Sequence, residues 1–257
     1  MVFIAGLPGT GKSLLVHQLA HLGAAAGRVI HLLQWDVARP AVEASAAGRR
    51  YPVVDGVTHP IVRKAVGLWS RRALAGWQRA HAGAEHLLVG ETPFVGGRLV
   101  ELARAANDDA EPLLRAASCR FVLPVPSVEV RRFVEAERDR RATRPQNARE
   151  REDAPPAVLR ALWRELSGVA PRLGVAVGGG EDPPYDPGAY RAVYERLLRH
   201  RHVDVVPLHT VLATSGLSVY DFAVARHDVV PSEEEADAAV REAEALGAAD
   251  VDRWWVV

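Results

Sequence analysis

Eight consecutive residues, Gly6-Leu7-Pro8-Gly9-Thr10-Gly11-Lys12-Ser13, carry the plainest chemistry in this sequence. Glycines at 6, 9 and 11 allow successive backbone N–H groups to turn toward one anion, Lys12 adds a mobile cation, and Ser13 offers a hydroxyl to Mg²⁺. The apolar run 2–5 comes before them and a helical run opening on Leu14 and Leu15 follows. The order is therefore strand, turn and helix start, with the positive end of the helix dipole at the same point. Gly6, Pro8, Gly9, Thr10, Gly11, Lys12, Ser13 and Leu14 are expected to hold nucleotide phosphates. The alternative is an ordinary glycine-rich turn. Only Lys12 and Lys64 are lysines in a chain that otherwise uses arginine, and a compact ammonium suits a phosphate cradle better than a planar guanidinium.

The elements that must position this loop follow from periodicity. Short apolar runs at 2–5, 29–33, 86–89, 120–123 and 203–206 are continuous rather than alternating, as strands covered on both faces are. Helical-period sequence separates them, at 12–26, 60–82, 97–106, 127–141, 156–167 and 188–201. The expected fold is α/β, a doubly wound parallel sheet of about five strands with ligands at the strands' carboxyl ends. Residues 144–156 and 174–187 read as loops, and Ser127 as a helix N-cap. Residues 1–206 are expected to form the main domain. Residues 207–257 form an extension packed on it, with weak alternation at 219–225, an acidic amphipathic helix at 232–246 and an apolar Trp254-Trp255-Val256-Val257 end. An exposed Trp pair is unfavourable, so this end is expected to pack on the core or serve self-association.

Composition limits the alternatives. The 257 residues are 48% hydrophobic and 25% charged, enough for a substantial core. Lys+Arg and Asp+Glu both number 32, so there is no global field to hold nucleic acid or an anionic membrane. Cys119 is the sole cysteine, which rules out an intrachain disulfide. No stretch reaches membrane-span length and the chain opens directly on the loop, so a cytoplasmic location is expected. The ten histidines show neither HExxH nor paired metal spacing, and His17 and His21 lack an intervening acid. No GxSxG, Rossmann or NKxD sequence is present.

Over residues 1 to about 206 the chain resembles the P-loop kinase group, which includes nucleoside-monophosphate kinases and small-molecule phosphotransferases. The resemblance implies ATP and Mg²⁺ as cofactors and a small-molecule phosphoryl acceptor. Asp36, after the second strand run, would orient an acceptor hydroxyl and take its proton, or else cap the next helix. Glu91, at the tip of the third strand run, resembles a Walker B acid that supports Mg²⁺ or the nucleophile, although Asp is usual there. Arg98 would meet an anionic group of the acceptor, or lie exposed in a helix's first turn. A lid at about 138–156 would bring Arg138, Arg141 and Arg144 over the transferred phosphoryl group. The plain alternative is a solvated helix laced by i, i+4 pairs such as Glu137 with Arg141. Between Asp36 and Glu91, Arg49, Arg50, Tyr51, His59, Arg63, Lys64, Trp69, Arg71, Arg72 and Trp77 form a basic, aromatic stretch where related kinases bind acceptor. Transfer of a γ-phosphoryl group to a hydroxyl is the expected reaction. The rivals are a nucleoside-monophosphate kinase and a nucleotide-driven switch or assembly ATPase.

Overall fold

The computed structural model describes residues 1–257 except 145, 146, 148, 149, 151–153 and 212–217. In chain order the elements are β1 (Val2–Ala5), α1 (Lys12–Ala25), β2 (Val29–Gln34), α2 (Trp35–Ala44), α3 (Pro60–Ala80), β3 (His86–Thr92), α4 (Glu111–Leu114) and β4 (Arg120–Pro126). They continue as α5 (Val128–Thr143), α6 (Pro156–Val169), α7 (Pro187–Leu197), β5 (Val203–Leu208), β6 (Arg226–Asp228), α8 (Glu233–Glu244) and α9 (Ala248–Asp252). None of the described helices is long and apolar enough to cross a membrane.

Six strands form one all-parallel sheet in the order β5-β4-β1-β3-β2-β6. Both faces are buried, as continuous apolar strands require. Phe3, Ala5, Leu33 and Leu88 belong to the larger core, with α3 and α7 among its helices. Their neighbours in sequence, Ile4, Leu32 and Val89, face the other way, with Ile30 and with Val16 and Ala20 of α1. Adjacent β1 and β4 send their next connections in opposite directions, toward β2 and toward β5. A crevice opens at the carboxyl ends where such connections diverge, and the glycine-rich run leaves β1 at that point.

Six strands stand where five were expected. The sixth, Arg226–Asp228, pairs with β2 at the sheet edge and comes from the region assigned to an extension. Its residues are polar because an edge strand of three residues has little to bury. Elsewhere in residues 207–257, α8 packs on α3 and Trp254 joins the main core. Ser232 and Glu235 close a reciprocal capping box at the start of α8, while Ser127 caps α5 through Val130 N at 3.3 Å.

The helix expected at 97–106 does not form. Two 3-10 turns, Val95–Gly97 and Val100–Leu102, replace it. Phe94 and Leu99 have φ of 59° and 60°, left-handed values that cost bulky residues of order 1 kcal/mol or more. Both side chains are fully buried, so core packing holds the strained turn. Carbonyls without helical partners must find other donors, and arginines supply them. Arg63 donates to Gly96 O at 2.6 Å, Arg71 to Glu101 O at 2.6 Å and Arg104 O at 3.0 Å, and Arg201 to Leu102 O at 2.7 Å.

Arg71 and Arg201 also share Glu111, at 2.9 Å each, and Arg71 pairs with Asp108. Burial works against the Glu111 charge, but hydrogen bonds from Arg201 and Arg71 win and hold its carboxyl at about 2. A carboxylate depressed in the fold adds stability that is fully present above its ordinary 4.5 and disappears as pH falls toward 2. Glu111→Ala is therefore expected to destabilise the chain by about 3–5 kcal/mol, because the buried Arg201 loses its carboxylate partner and Arg71 one of its two. Urea melts at pH 7 measure the loss. In a pH series Glu111→Gln should lack this acid-side component, and wild-type acid sensitivity in the variant would contradict the assignment.

Candidate active site

Strand register assembles the site. Ile4 of β1 and Gln34 of β2 are both level with Glu91 of β3, so the loop after β1, the start of α2 and the Glu91 carboxylate share one rim. Residues 6–11 turn back sharply between β1 and α1. A Cβ on Gly6 would lie 2.3 Å from the Tyr190 hydroxyl and 2.9 Å from Thr10 Oγ1, so only glycine fits. Gly11 precedes α1 at a left-handed φ of 87°. Thr10 Oγ1 donates to Leu7 O at 2.8 Å and tightens the turn.

Lys12 is buried inside this loop. Its Nζ donates to Leu7 O at 3.0 Å and lies 3.3 Å from Glu91 Oε1. Ser13 Oγ donates to the other carboxylate oxygen, Glu91 Oε2, at 3.5 Å. Burial pushes the Lys12 ammonium below its usual pKa, against the pull of Glu91. Glu91 thus bridges the two residues that sequence reasoning assigned to phosphate and metal.

Asp36 lies in the first turn of α2, beyond the N-cap Gln34. The capping alternative does not describe it. Pro40, four residues on, has no N–H to give the Asp36 carbonyl, so the helix is locally open there. Low-polarity surroundings and then the Glu91 charge raise the Asp36 carboxyl, while Arg39, Lys12 and Arg98 oppose them. The residue is nonetheless exposed along the cavity lining.

Arg98 sits between the two 3-10 turns rather than in a helix. It is half-buried, donates to Val95 O at 2.8 Å and lies 6.0 Å from the Trp35 ring centroid. Its field reaches Asp36.

A cavity of about 1080 Å³ opens over this rim. The loop, Asp36, Glu91 and Arg98 line one wall, and Val130, Phe133, Arg138 and Arg141 of α5 line the facing wall. Arg138 donates to Ala154 O at 2.8 Å, and its charge is felt at Lys12. Arg141 is held by Glu137 and Glu150, each at 2.9 Å. Arg144 is the C-cap of α5, exposed and away from the cavity lining. Much of the segment read as a lid, including 145, 146, 148, 149 and 151–153, lies outside the described residues.

Two arginines join the site without having been singled out. Arg131 is buried, donates to Pro8 O at 2.8 Å and to Leu159 O at 3.4 Å, and pairs with Glu135 at 2.9 Å. It props the loop from behind. Arg39 lines the cavity beside its partner Glu43. Only the i, i+4 acids marked these two in sequence, a pattern equally common on solvated helices. Most of the basic stretch before Glu91 instead serves the fold. Lys64 is buried against Glu101 at 3.0 Å, Arg71 holds Asp108 and Glu111, and Arg50 and Arg72 reach Glu244 and Glu242 of α8. Trp69 and Trp77 are core.

No family model matches the chain, and no curated protein or solved structure matches it either.

Proposed function

We propose that the chain transfers the γ-phosphoryl group of Mg·ATP to a hydroxyl of a small molecule. One observation carries the reading: Lys12 and Ser13, at the end of a glycine loop, converge on Glu91 at the mouth of a cavity that also holds Asp36. At about 1080 Å³ the cavity is larger than a single-ligand pocket usually is, which suits a nucleotide and an acceptor together.

Phosphate oxygens would take the Lys12 ammonium over from Glu91 and the Leu7 carbonyl, exchanging one carboxylate partner for a more highly charged one. The freed Glu91 carboxylate and Ser13 hydroxyl are oxygen donors, the kind a hard dication takes, so the residues present fit Mg²⁺. When bound, Mg²⁺ neutralises charge on the phosphate oxygens. Asp36 orients the acceptor hydroxyl and accepts its proton at a carboxylate oxygen as the new O–P bond forms, and ADP leaves as the β–γ bridge breaks. Arg98 and Arg138 supply positive charge from opposite walls. Arg131 keeps the loop amides aimed by holding Pro8.

Lys12→Ala is expected to lower nucleotide turnover by at least about 10²-fold, the scale of losing one preorganised charge-stabilising donor. Its melting temperature should stay near wild type, because the half-buried Glu91 can be hydrated in its place. An ADP-release assay over metabolites, nucleosides and nucleotides, with parallel melting curves, measures both. Wild-type turnover by a folded Lys12→Ala chain would refute the reading.

Asp36→Asn is expected to lower kcat by roughly 10²-fold with a hydroxyl acceptor, while a fluorescent ATP analogue binds as before. Because the Asp36 carboxyl is raised, wild-type kcat should climb with pH above the ordinary carboxylate range as the base loses its proton, and the variant should lack that limb. Full kcat in Asp36→Asn would point to an acceptor oxygen already ionised, as in a nucleoside monophosphate. ADP release independent of any acceptor would point to a nucleotide-driven switch.

A further inference from the structure

Three histidines, His31 and the pair His81 and His86 some fifty residues on, meet at the amino-terminal part of the sheet, away from the cavity. His31 lies within β2, His86 opens β3 and His81 ends α3. Each presents a ring nitrogen, and the three lie within 4.8 Å of one another. His31 Nε2 and His86 Nδ1 are 3.1 Å apart. The His81 ring centroid is 4.5 Å from both other rings. His227 of β6, level with His31 across the strand pair, adds a fourth ring at 5.2 Å. Trp77 meets the His31 ring edge-on at 5.5 Å.

We propose that His31, His81 and His86 bind one divalent transition-metal ion of the zinc class, with solvent or His227 in the fourth position. Imidazole nitrogen is a preferred ligand for such ions, and three protein ligands with one open position is a recurring arrangement. Zinc–nitrogen bonds of about 2.0–2.1 Å in a tetrahedron place ligand nitrogens roughly 3.3–3.4 Å apart. The His31–His86 pair is already near that spacing, and turning the half-buried His81 ring closes the rest. His31 is buried while His81 and His86 are half-buried, which leaves a path from solvent.

A carboxylate stands behind one ligand. Glu85 Oε1 is 3.8 Å from His86 Nε2, the ring nitrogen that does not face His31. With the ring proton on Nε2, on the side of this carboxylate, the Nδ1 lone pair is left for the ion. The ion would occupy the place of the proton now between His31 and His86. It would tie β2, β3 and the end of α3 together. His86 and Glu91 are five residues apart on β3, about 17 Å at the usual strand rise, so this ion is separate from the Mg²⁺ of the proposed reaction and does not depend on that reading.

The test uses the full chain without a histidine tag, stripped by chelator dialysis. It is titrated with Zn²⁺ by calorimetry and with Co²⁺ by visible absorption. The expected result is one ion per chain retained through gel filtration, tetrahedral-type Co²⁺ bands and a raised melting temperature. His81→Gln and His86→Gln, checked for folding by circular dichroism, should each weaken binding by more than about 10²-fold. Glu85→Gln should weaken it by about 10-fold, within the range of outer-shell changes. Lys12→Ala and the double variant His17→Gln/His21→Gln should bind as wild type. Absence of stoichiometric binding by wild type, unchanged affinity in a folded His81→Gln/His86→Gln double variant, or loss in the His17/His21 variant would each overturn the proposal.

Discussion

A buried ammonium organises the working end of this molecule. Lys12 lies within hydrogen-bonding reach of Leu7 O and close to Glu91, and taking a cation out of water is costly unless it is paired. The loop must curve so that the Leu7 carbonyl points inward, which Gly6 and Gly11 permit. Glu91 must come from the neighbouring strand, which the β1–β3 register provides by setting Ile4 level with it. The same register, carried through Gln34, brings Asp36 to the rim. An arrangement that holds a lysine with one carboxylate and one carbonyl is also one that a multiply charged anion can take over.

The surroundings of that ammonium are built largely by arginine acting as a structural donor. The irregular chain after β3 has no helix to satisfy its carbonyls, and Arg63 and Arg71 of α3, with Arg201 just before β5, do so. Arg131 does the same for Pro8 at the back of the glycine loop. A planar fork of donors suits this task, since one guanidinium serves two or three carbonyls in fixed directions. Arg71, Arg131 and Arg201 are buried, and along the cavity Arg98 and Arg138 are oriented by carbonyls at Val95 and Ala154 while Arg39 and Arg141 are held by carboxylates.

What the sequence disclosed and what it hid divide along physical lines. Continuous apolar runs marked β1 to β4, whose central residues are buried, and the half-buried β5, and counting to the strand tips located Asp36 and Glu91. The three polar residues of β6 gave no such run, since so short a strand at the sheet edge has little to bury. Residues 97–106 read as a helix by their period. Their conformation is decided by the positive φ of Phe94 and Leu99 and by arginines up to 99 residues away. Arg131 and the three clustered histidines were hidden for the same reason: their partners come from other elements, and no local period records a partner 55 or 123 residues distant.

The parallel sheet also gives the two proposed sites separate places on the same pair of strands. In β2 and β3, running in the same direction and in register from Val29 with His86 to Gln34 with Glu91, each end of the pair gathers side chains of its own. The carboxyl end receives the turns that open helices, whose N–H groups and dipoles favour anions. The amino end receives chain leaving helices and presents ring lone pairs, which favour cations. The apolar Leu32, Leu33, Leu88 and Val89 between them are almost fully buried. They exclude water between the two ends and hold them at a fixed separation.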